Sequence, residues 1–227
     1  MTFPALVLFD IDGTLLRRAG PDHREALEYG IRRVTGLEST TDGIPLHGML
    51  DTVILSRMMA RAGAGGGLIR IAMREVVREA ERRYLRTCPD LTGRLCPGVH
   101  GALRRLRDLG ALLGLVTGNL TRIGWHKLAR AGLSDYFRFG SFGECAPTRS
   151  HLARKAVGEA RRRGWISRGA PVALIGDAPA DVIAAKANGI TSIAMQTGVS
   201  PPGRLAAEGP DILIPDLRAL RLEIPER

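Results

Sequence analysis

Apolar positions along this chain fall into two textures. After a short apolar run, Ala5 to Phe9, they recur at helical spacing: Ala26, Leu27, Ile31 and Val34 between His23 and Gly36, then residues 50–62, then residues 68–85 with Ile71, Val76, Ala80 and Tyr84. Gly36 stops the first of these helices, Asp51 is placed to cap the second, and a glycine-rich break at 62–67 separates the second from the third. No strand pattern occurs between Leu16 and Arg94, and Cys96-Pro97-Gly98 marks a return. From Val99 onward short apolar runs alternate with helical stretches. The runs predict strands at 111–116, 137–139, 172–175, 191–195 and 211–214, and the stretches between them predict helices at 100–109, 122–131, 148–163 and 180–188. Buried strands separated by helices imply parallel pairing, right-handed crossovers and helices on both faces. The expected fold is therefore α/β, a doubly wound, Rossmann-like parallel sheet formed by residues 1–16 and 95–227. Residues 17–94 form an all-helical unit inserted after the first strand, entered through a connector at Arg17 to Pro21.

The 227 residues, 44% hydrophobic and 25% charged, suffice for one core domain plus such an insert. No stretch has the run of apolar residues that crosses a bilayer, and the N-terminus lacks the basic start and cleavage site of a secretory signal, so a cytoplasmic protein without membrane contact is expected. Three cysteines do not make a disulfide framework; free thiols are expected. A net charge of +10 raises the question of nucleic acid. Yet Lys127, Lys155 and Lys186 are the only lysines, and the arginines that make up the rest are scattered through helices, which argues against a nucleic-acid partner. Arg161-Arg162-Arg163 reads as a solvated helix end, and a monomer is expected.

The candidate chemistry sits at strand ends. Asp10 and Asp12 lie one residue apart just past the first strand, where they repel each other unless a cation or a shared proton compensates them. Such a pair can divide labour, with Asp10 as a carboxylate nucleophile that becomes an aspartyl phosphate and Asp12 as the group that protonates a leaving oxygen and then activates water. Taken singly, each motif has a plain reading: Asp10-x-Asp12 as a turn, Thr117-Gly118-Asn119 as another turn, Asp177 and Asp181 as the acidic start of a helix. In a parallel sheet, however, Asp10, Thr117 and Asp177 all face one edge, the edge where open α/β sheets bind ligands. Thr117 and Gly118 would offer an O–H and an N–H to a phosphate oxygen, with Asn119 near enough to orient Asp12. The clustered carboxylates call for a hard divalent cation, and Mg2+ suits an all-oxygen site that also binds phosphate.

With these residues together, the chain resembles the haloacid dehalogenase superfamily, specifically its phosphatases with a helical cap after the first strand. Asp10-Ile11-Asp12-Gly13-Thr14-Leu15 matches the first family motif, Thr117-Gly118-Asn119 the second, and Gly176-Asp177 through Asp181 the fourth. The resemblance implies a Mg2+-dependent phosphohydrolase acting on a small phosphorylated metabolite, with residues 17–94 as the cap. Asp10 is then the nucleophile and Asp12 the general acid/base; Asp10, the backbone carbonyl of Asp12 and Asp177 hold Mg2+, with Asp181 direct or one layer behind. Where the family has a lysine in its third motif, this sequence offers Arg149, with Lys155 as the rival. Arg149 joins Thr117, Gly118 and Asn119 as a phosphate-binding residue. The alternatives are a phosphomutase of the same superfamily, which shares these residues, and a non-catalytic binding protein on this scaffold. Leu46 to Asp51 is similar to the cap segment of phosphoglycolate-phosphatase-like members but has Leu50 where a threonine is usual, a departure that counts against phosphoglycolate; His47 in that segment is expected to be an ordinary surface histidine.

Overall fold

The structure, a computed structural model, describes residues 2–17 and 20–221; Met1, residues 222–227 and, in the predicted connector, Arg18 and Ala19 lie outside them. Strand β1 (Leu6–Phe9) is followed by three helices, α1 (Pro21–Thr35), α2 (Asp51–Arg61) and α3 (Gly66–Thr87). Then come α4 (Val99–Asp108), β2 (Leu112–Val116), α5 (Thr121–Arg130), β3 (Phe139–Ser141), α6 (Arg149–Arg162), β4 (Val172–Gly176), α7 (Pro179–Lys186), β5 (Thr191–Met195), α8 (Pro202–Ala207) and β6 (Ile212–Ile214). Every predicted strand and helix has a counterpart, but the strand expected at 137–139 forms two residues later, at Phe139–Ser141, and the short α8, which carries no apolar periodicity in sequence, is additional. Among the described residues no helix is long and apolar enough to cross a membrane, and all three cysteines are free thiols.

The six strands are all parallel, in the order β3-β2-β1-β4-β5-β6. The chain winds outward from β1 to β3, then crosses back to place β4 on the other side of β1. Every residue of β1, β2 and β4 is buried, because helices cover both faces. The period-two alternation of β1 divides the core. Val7 and Phe9 join α4, α5 and the inserted helices on one face, while Leu6 and Leu8 join Leu152, Ala153 and Ala156 of α6 and Ala184 and Ala185 of α7 on the other.

In the insert, α1 and α3 pack side by side, close enough at Gly30 that a Cβ there would meet the Val76 carbonyl. Gly36 adopts φ 72° and returns its N–H to Arg32 O, ending α1 as its sequence predicted. The expected cap of α2 is not formed. Leu50 is the N-cap residue and Asp51 the first helical residue, with no side-chain capping bond. The Asp51 carboxylate accepts instead from Leu120 N–H at 2.9 Å, at the start of α5. Two more acidic side chains serve that helix start: Glu144 accepts from Thr121 N–H at 2.9 Å and Glu81, from α3, accepts from Arg122 N–H at 2.9 Å. Helix α5 has no capping side chain of its own, so its exposed N–H groups and positive dipole end are satisfied largely by the insert.

The insert meets the core most closely where the chain passes over Gly118: Asp51 N–H bonds Gly118 O at 2.8 Å, and the Met49 carbonyl lies against the Gly118 Cα. Gly118→Ala would drive a methyl group into that carbonyl, a backbone atom with no rotamer to escape into. We expect this substitution to cost about 2 kcal/mol and lower Tm by roughly 5 °C. Gly101→Ala, on an exposed face of α4 with nothing within 4 Å of the new methyl, should be neutral or stabilising. Thermal denaturation of both variants checks this, and equal small effects would contradict the close approach.

Candidate active site

An open α/β sheet binds its ligands where the strand order reverses, and here that point lies between β1 and β4. The register aligns Phe9 with Ile175 and with Leu115, and Asp10 N–H continues the ladder to Ile175 O at 3.0 Å. Asp10, Thr117 and Asp177 therefore leave three adjacent strands at one level. The loop after Asp12 turns at Gly13 with φ 90°, and its backbone passes so close to the Asp177 carboxylate that no side chain fits at Gly13. Thr14 then donates to Asp177 Oδ1 at 3.1 Å.

Asp10, Asp177 and Asp181 are all buried, and each offers an oxygen lying within 4.8 Å of the others'. Asp10 Oδ1 accepts from Ile11 N–H at 2.8 Å, and its Oδ2 meets Arg149 at 2.8 Å. Asp181 accepts from the Ala178 N–H at 3.0 Å and from Arg149, so both its oxygens are engaged one layer behind. Asp177 Oδ2 is buried with no partner. Burial, followed by repulsion from Asp10 and Asp181, pushes the Asp177 carboxyl well above its usual range. Burial also raises Asp181, against the pull of Arg149, to about 6. These are carboxylates short of positive charge, and the all-oxygen donor set with one orphaned oxygen fits a hard divalent cation.

Arg149 opens α6, where Thr148 caps by accepting from His151 N–H. Its guanidinium reaches both Asp10 and Asp181, and its Nε is buried without a partner. Lys155, the other third-motif candidate, is exposed and donates to Cys145 O at 2.9 Å, away from the carboxylates.

Asp12 faces a separate group of partners. Its Oδ2 accepts from Asn119 Nδ2 at 2.8 Å and from Lys127 Nζ at 2.6 Å, while Oδ1 is buried and unpaired. Burial alone would raise its pKa, but the Lys127 ammonium, His23 and these two hydrogen bonds more than offset it and leave the carboxyl below its ordinary value. Thr117 Oγ1 accepts from Asn119 Nδ2 at 2.8 Å, which ties the second-motif side chains into one array. Sequence reasoning missed Lys127. The available signal was a lysine in a chain that otherwise uses arginine, on the α5 face shared with Ile123 and Leu128.

These side chains open on a cavity of about 410 Å³ lined by Asp10, Asp12, Thr117, Gly118, Asn119, Arg149 and Asp177 from the core. Its other wall comes from Arg24, Leu46, His47 and Met49 of the insert, and from residues 197–199 after β5. His47 is not the surface histidine expected. Its side chain is only 27% exposed, 3.6 Å from Asp177 Oδ2, and its Nε2 lies 2.8 Å from Ser200 Oγ. Burial holds its pKa below the ordinary value despite Asp177 and Asp10.

The fold and the site define the chain as an α/β protein with an acidic cleft of about 410 Å³ at its topological switch point. The model of the haloacid dehalogenase-like hydrolases matches residues 4–189, and the chain belongs to that family. It is 32% identical to a plasmid-encoded phosphoglycolate phosphatase of Cupriavidus necator over 94% of this chain and 90% of that protein. It is 28% identical to the phosphoglycolate phosphatase of Pseudomonas putida over 96% of this chain and 79% of that one. Among solved structures, one described as a predicted phosphatase from Clostridium acetobutylicum superposes with a TM-score of 0.68 at 21% identity, covering 96% of both chains. A β-phosphoglucomutase from Clostridium difficile superposes with a TM-score of 0.67 at 15% identity, covering 97% of this chain and 94% of that one. The protein is an enzyme, a phosphatase of this family.

Replacing Arg149 with Met removes the one buried cation that faces Asp10 and Asp181. At pH 7.5, without divalent ions, this should cost about 3–5 kcal/mol and lower Tm by roughly 10 °C. Asp177 and Asp181 have folded pKa values raised above the ordinary carboxyl range, so the destabilisation they cause grows as pH rises through those raised values. The loss at pH 5 should therefore be much smaller. Melting curves at the two pH values check this, and a loss independent of pH would contradict it.

Proposed function

We propose that the chain is a Mg2+-dependent phosphohydrolase that cleaves a small phosphate monoester through an aspartyl phosphate on Asp10. The observation that carries the reading is the division of the cleft: Asp10, Asp177 and Asp181 gather with Arg149 on one side, and Asp12 stands apart with its own partners on the other. Asp10, the Asp12 backbone carbonyl and Asp177 would hold Mg2+, with Asp181 behind them. When bound, the ion neutralises carboxylate and phosphate charge and orients the phosphoryl group.

An Asp10 oxygen attacks phosphorus in line while the bond to the leaving oxygen breaks, and Asp12 gives its proton to that oxygen. Arg149 and the Thr117 hydroxyl, with the Gly118 N–H, stabilise the equatorial oxygens. Water then attacks the same phosphorus and passes its proton to Asp12, releasing phosphate and restoring the Asp10 carboxylate. Residues 17–94 act as the cap that closes the cleft against bulk water and contacts the leaving group. The names of the relatives make 2-phosphoglycolate the first substrate to assay. The mutase alternative rests on shared fold, and release of inorganic phosphate from p-nitrophenyl phosphate at many turnovers per enzyme would set it aside.

Asp10→Asn is expected to lower phosphatase turnover by at least about 10³-fold with Tm unchanged or higher, since one crowded carboxylate is removed. Retained turnover would refute the nucleophile assignment.

Protons compete with the ion at Asp177 and Asp181, whose carboxyls burial pushes up in the metal-free protein, Asp181 to about 6. Millimolar Mg2+ should therefore raise Tm by about 5 °C or more at pH 7.5 and by almost nothing at pH 5. Calorimetry with and without EDTA tests this, and an equal gain at both pH values would contradict these ligands.

A further inference from the structure

Among the described residues only two cations are buried, Arg149 and Lys127, and Lys127 takes no part in the scheme above. Its side chain is 1% exposed and does not line the cavity, so it does not reach the substrate. An ammonium carries three donors, and three acceptors surround this one: Asp12 Oδ2 at 2.6 Å, Asn119 Oδ1 at 2.6 Å and His23 Nδ1 at 3.2 Å. Because Lys127 occupies Nδ1 of His23, the histidine proton belongs on Nε2, which donates to Asp51 Oδ2 at 2.9 Å. Asp51 in turn accepts the Leu120 N–H at the head of α5, the helix that carries Lys127. The chain of contacts closes on itself, passing from the core through α1 and α2 of the insert and back.

We propose that Lys127 is the positioning residue for Asp12, and that His23 and Asp51 make its hold depend on the docking of the inserted helices. Lys127 and Asn119 both hold Oδ2 and so fix the plane of the carboxylate that exchanges a proton with the leaving group and then with water. This rests on the reading of Asp12 as the proton carrier. It also accounts for a lysine in an arginine-rich chain, because a compact ammonium satisfies three converging acceptors and a planar guanidinium does not.

The test compares Lys127→Met with the parent on two substrates. p-Nitrophenolate leaves without a proton, whereas the alkoxide of 2-phosphoglycolate or glycerol phosphate needs one. We expect kcat/KM for the alkyl ester to fall about 10²-fold or more, and that for p-nitrophenyl phosphate by less than about 5-fold. Because water attack also needs Asp12, the variant should release a stoichiometric burst of p-nitrophenolate before a slow steady state. Lys127→Arg should not rescue. His23→Ala, which leaves the buried ammonium in place, should show the same selectivity at about 10-fold and keeps the test open should Lys127→Met fail to fold. Equal losses on both substrates, or none, would overturn the proposal. Asp12→Asn separates the two readings: if it too fails to discriminate between leaving groups, the assignment of Asp12 itself is wrong, and if it discriminates while the Lys127 and His23 variants do not, only the positioning role is wrong.

Discussion

The constraint on which this molecule turns is the crowding of acid at the end of β1 and β4. Asp10, Asp12, Asp177 and Asp181 stand together at the switch point, against two buried cations, Arg149 and Lys127. Four carboxylates against two fixed positive charges leave an excess of two negative charges in a place from which water is largely removed. Such an excess is tolerated in a fold only through protonation, an added cation, or both. The raised values at Asp177 and Asp181 are the first of these answers, and the orphaned oxygen of Asp177 is the opening for the second. A site built this way costs stability when empty and recovers it on loading, which is the usual relation between a strained polar cluster and its ligand.

The two cations are kept apart because they do different things. Arg149, planar and forked, bridges Asp10 and Asp181 on the side of Asp177 and retains an Nε without a partner. Lys127, a point charge, serves Asp12 from behind. Were one cation shared between Asp10 and Asp12, the two aspartates would be drawn to a common position. The acidic side chains that satisfy the start of α5 have a related effect. Asp51 and Glu81 come from different helices of the insert, and together they seat it against the helix that carries Lys127.

The fold was legible because its strands are covered on both faces, so each appears as an uninterrupted apolar run that no other element in the chain imitates. Convergence of Asp10, Thr117 and Asp177 followed from parallel topology alone. What the sequence hid were side chains whose roles depend on contacts across long separations. Asp51 sits where a helix cap belongs, and only its distance to Leu120 N–H reveals the other use. Lys127 is eight positions beyond the second motif, inside an ordinary helix pattern, and His47 lies in a loop whose path is set by the close pass over Gly118. Periodicity reports which face is buried; it does not report which buried polar groups meet.

The departure at Leu50 illustrates the same limit from the other side. In sequence it counted against phosphoglycolate, because a threonine is usual there in the segment that approaches the leaving group. Leu50 is in fact buried at 4% exposure, with Leu6, Leu8 and Val116 in the core, and takes no part in lining the cavity. A hydroxyl exchanged for an isobutyl group at that position alters packing beneath the insert and leaves the walls of the cleft as they were. The cavity wall opposite the acids is instead formed by Arg24, Leu46, His47 and Met49, set against residues 197–199. Of these His47 reaches across to Ser200 and lies beside Asp177, while the Met49 carbonyl lies against Gly118. The acidic cluster is thus placed by the sheet edge, and the facing wall of the cleft by a loop of the insert that the sheet edge holds in place.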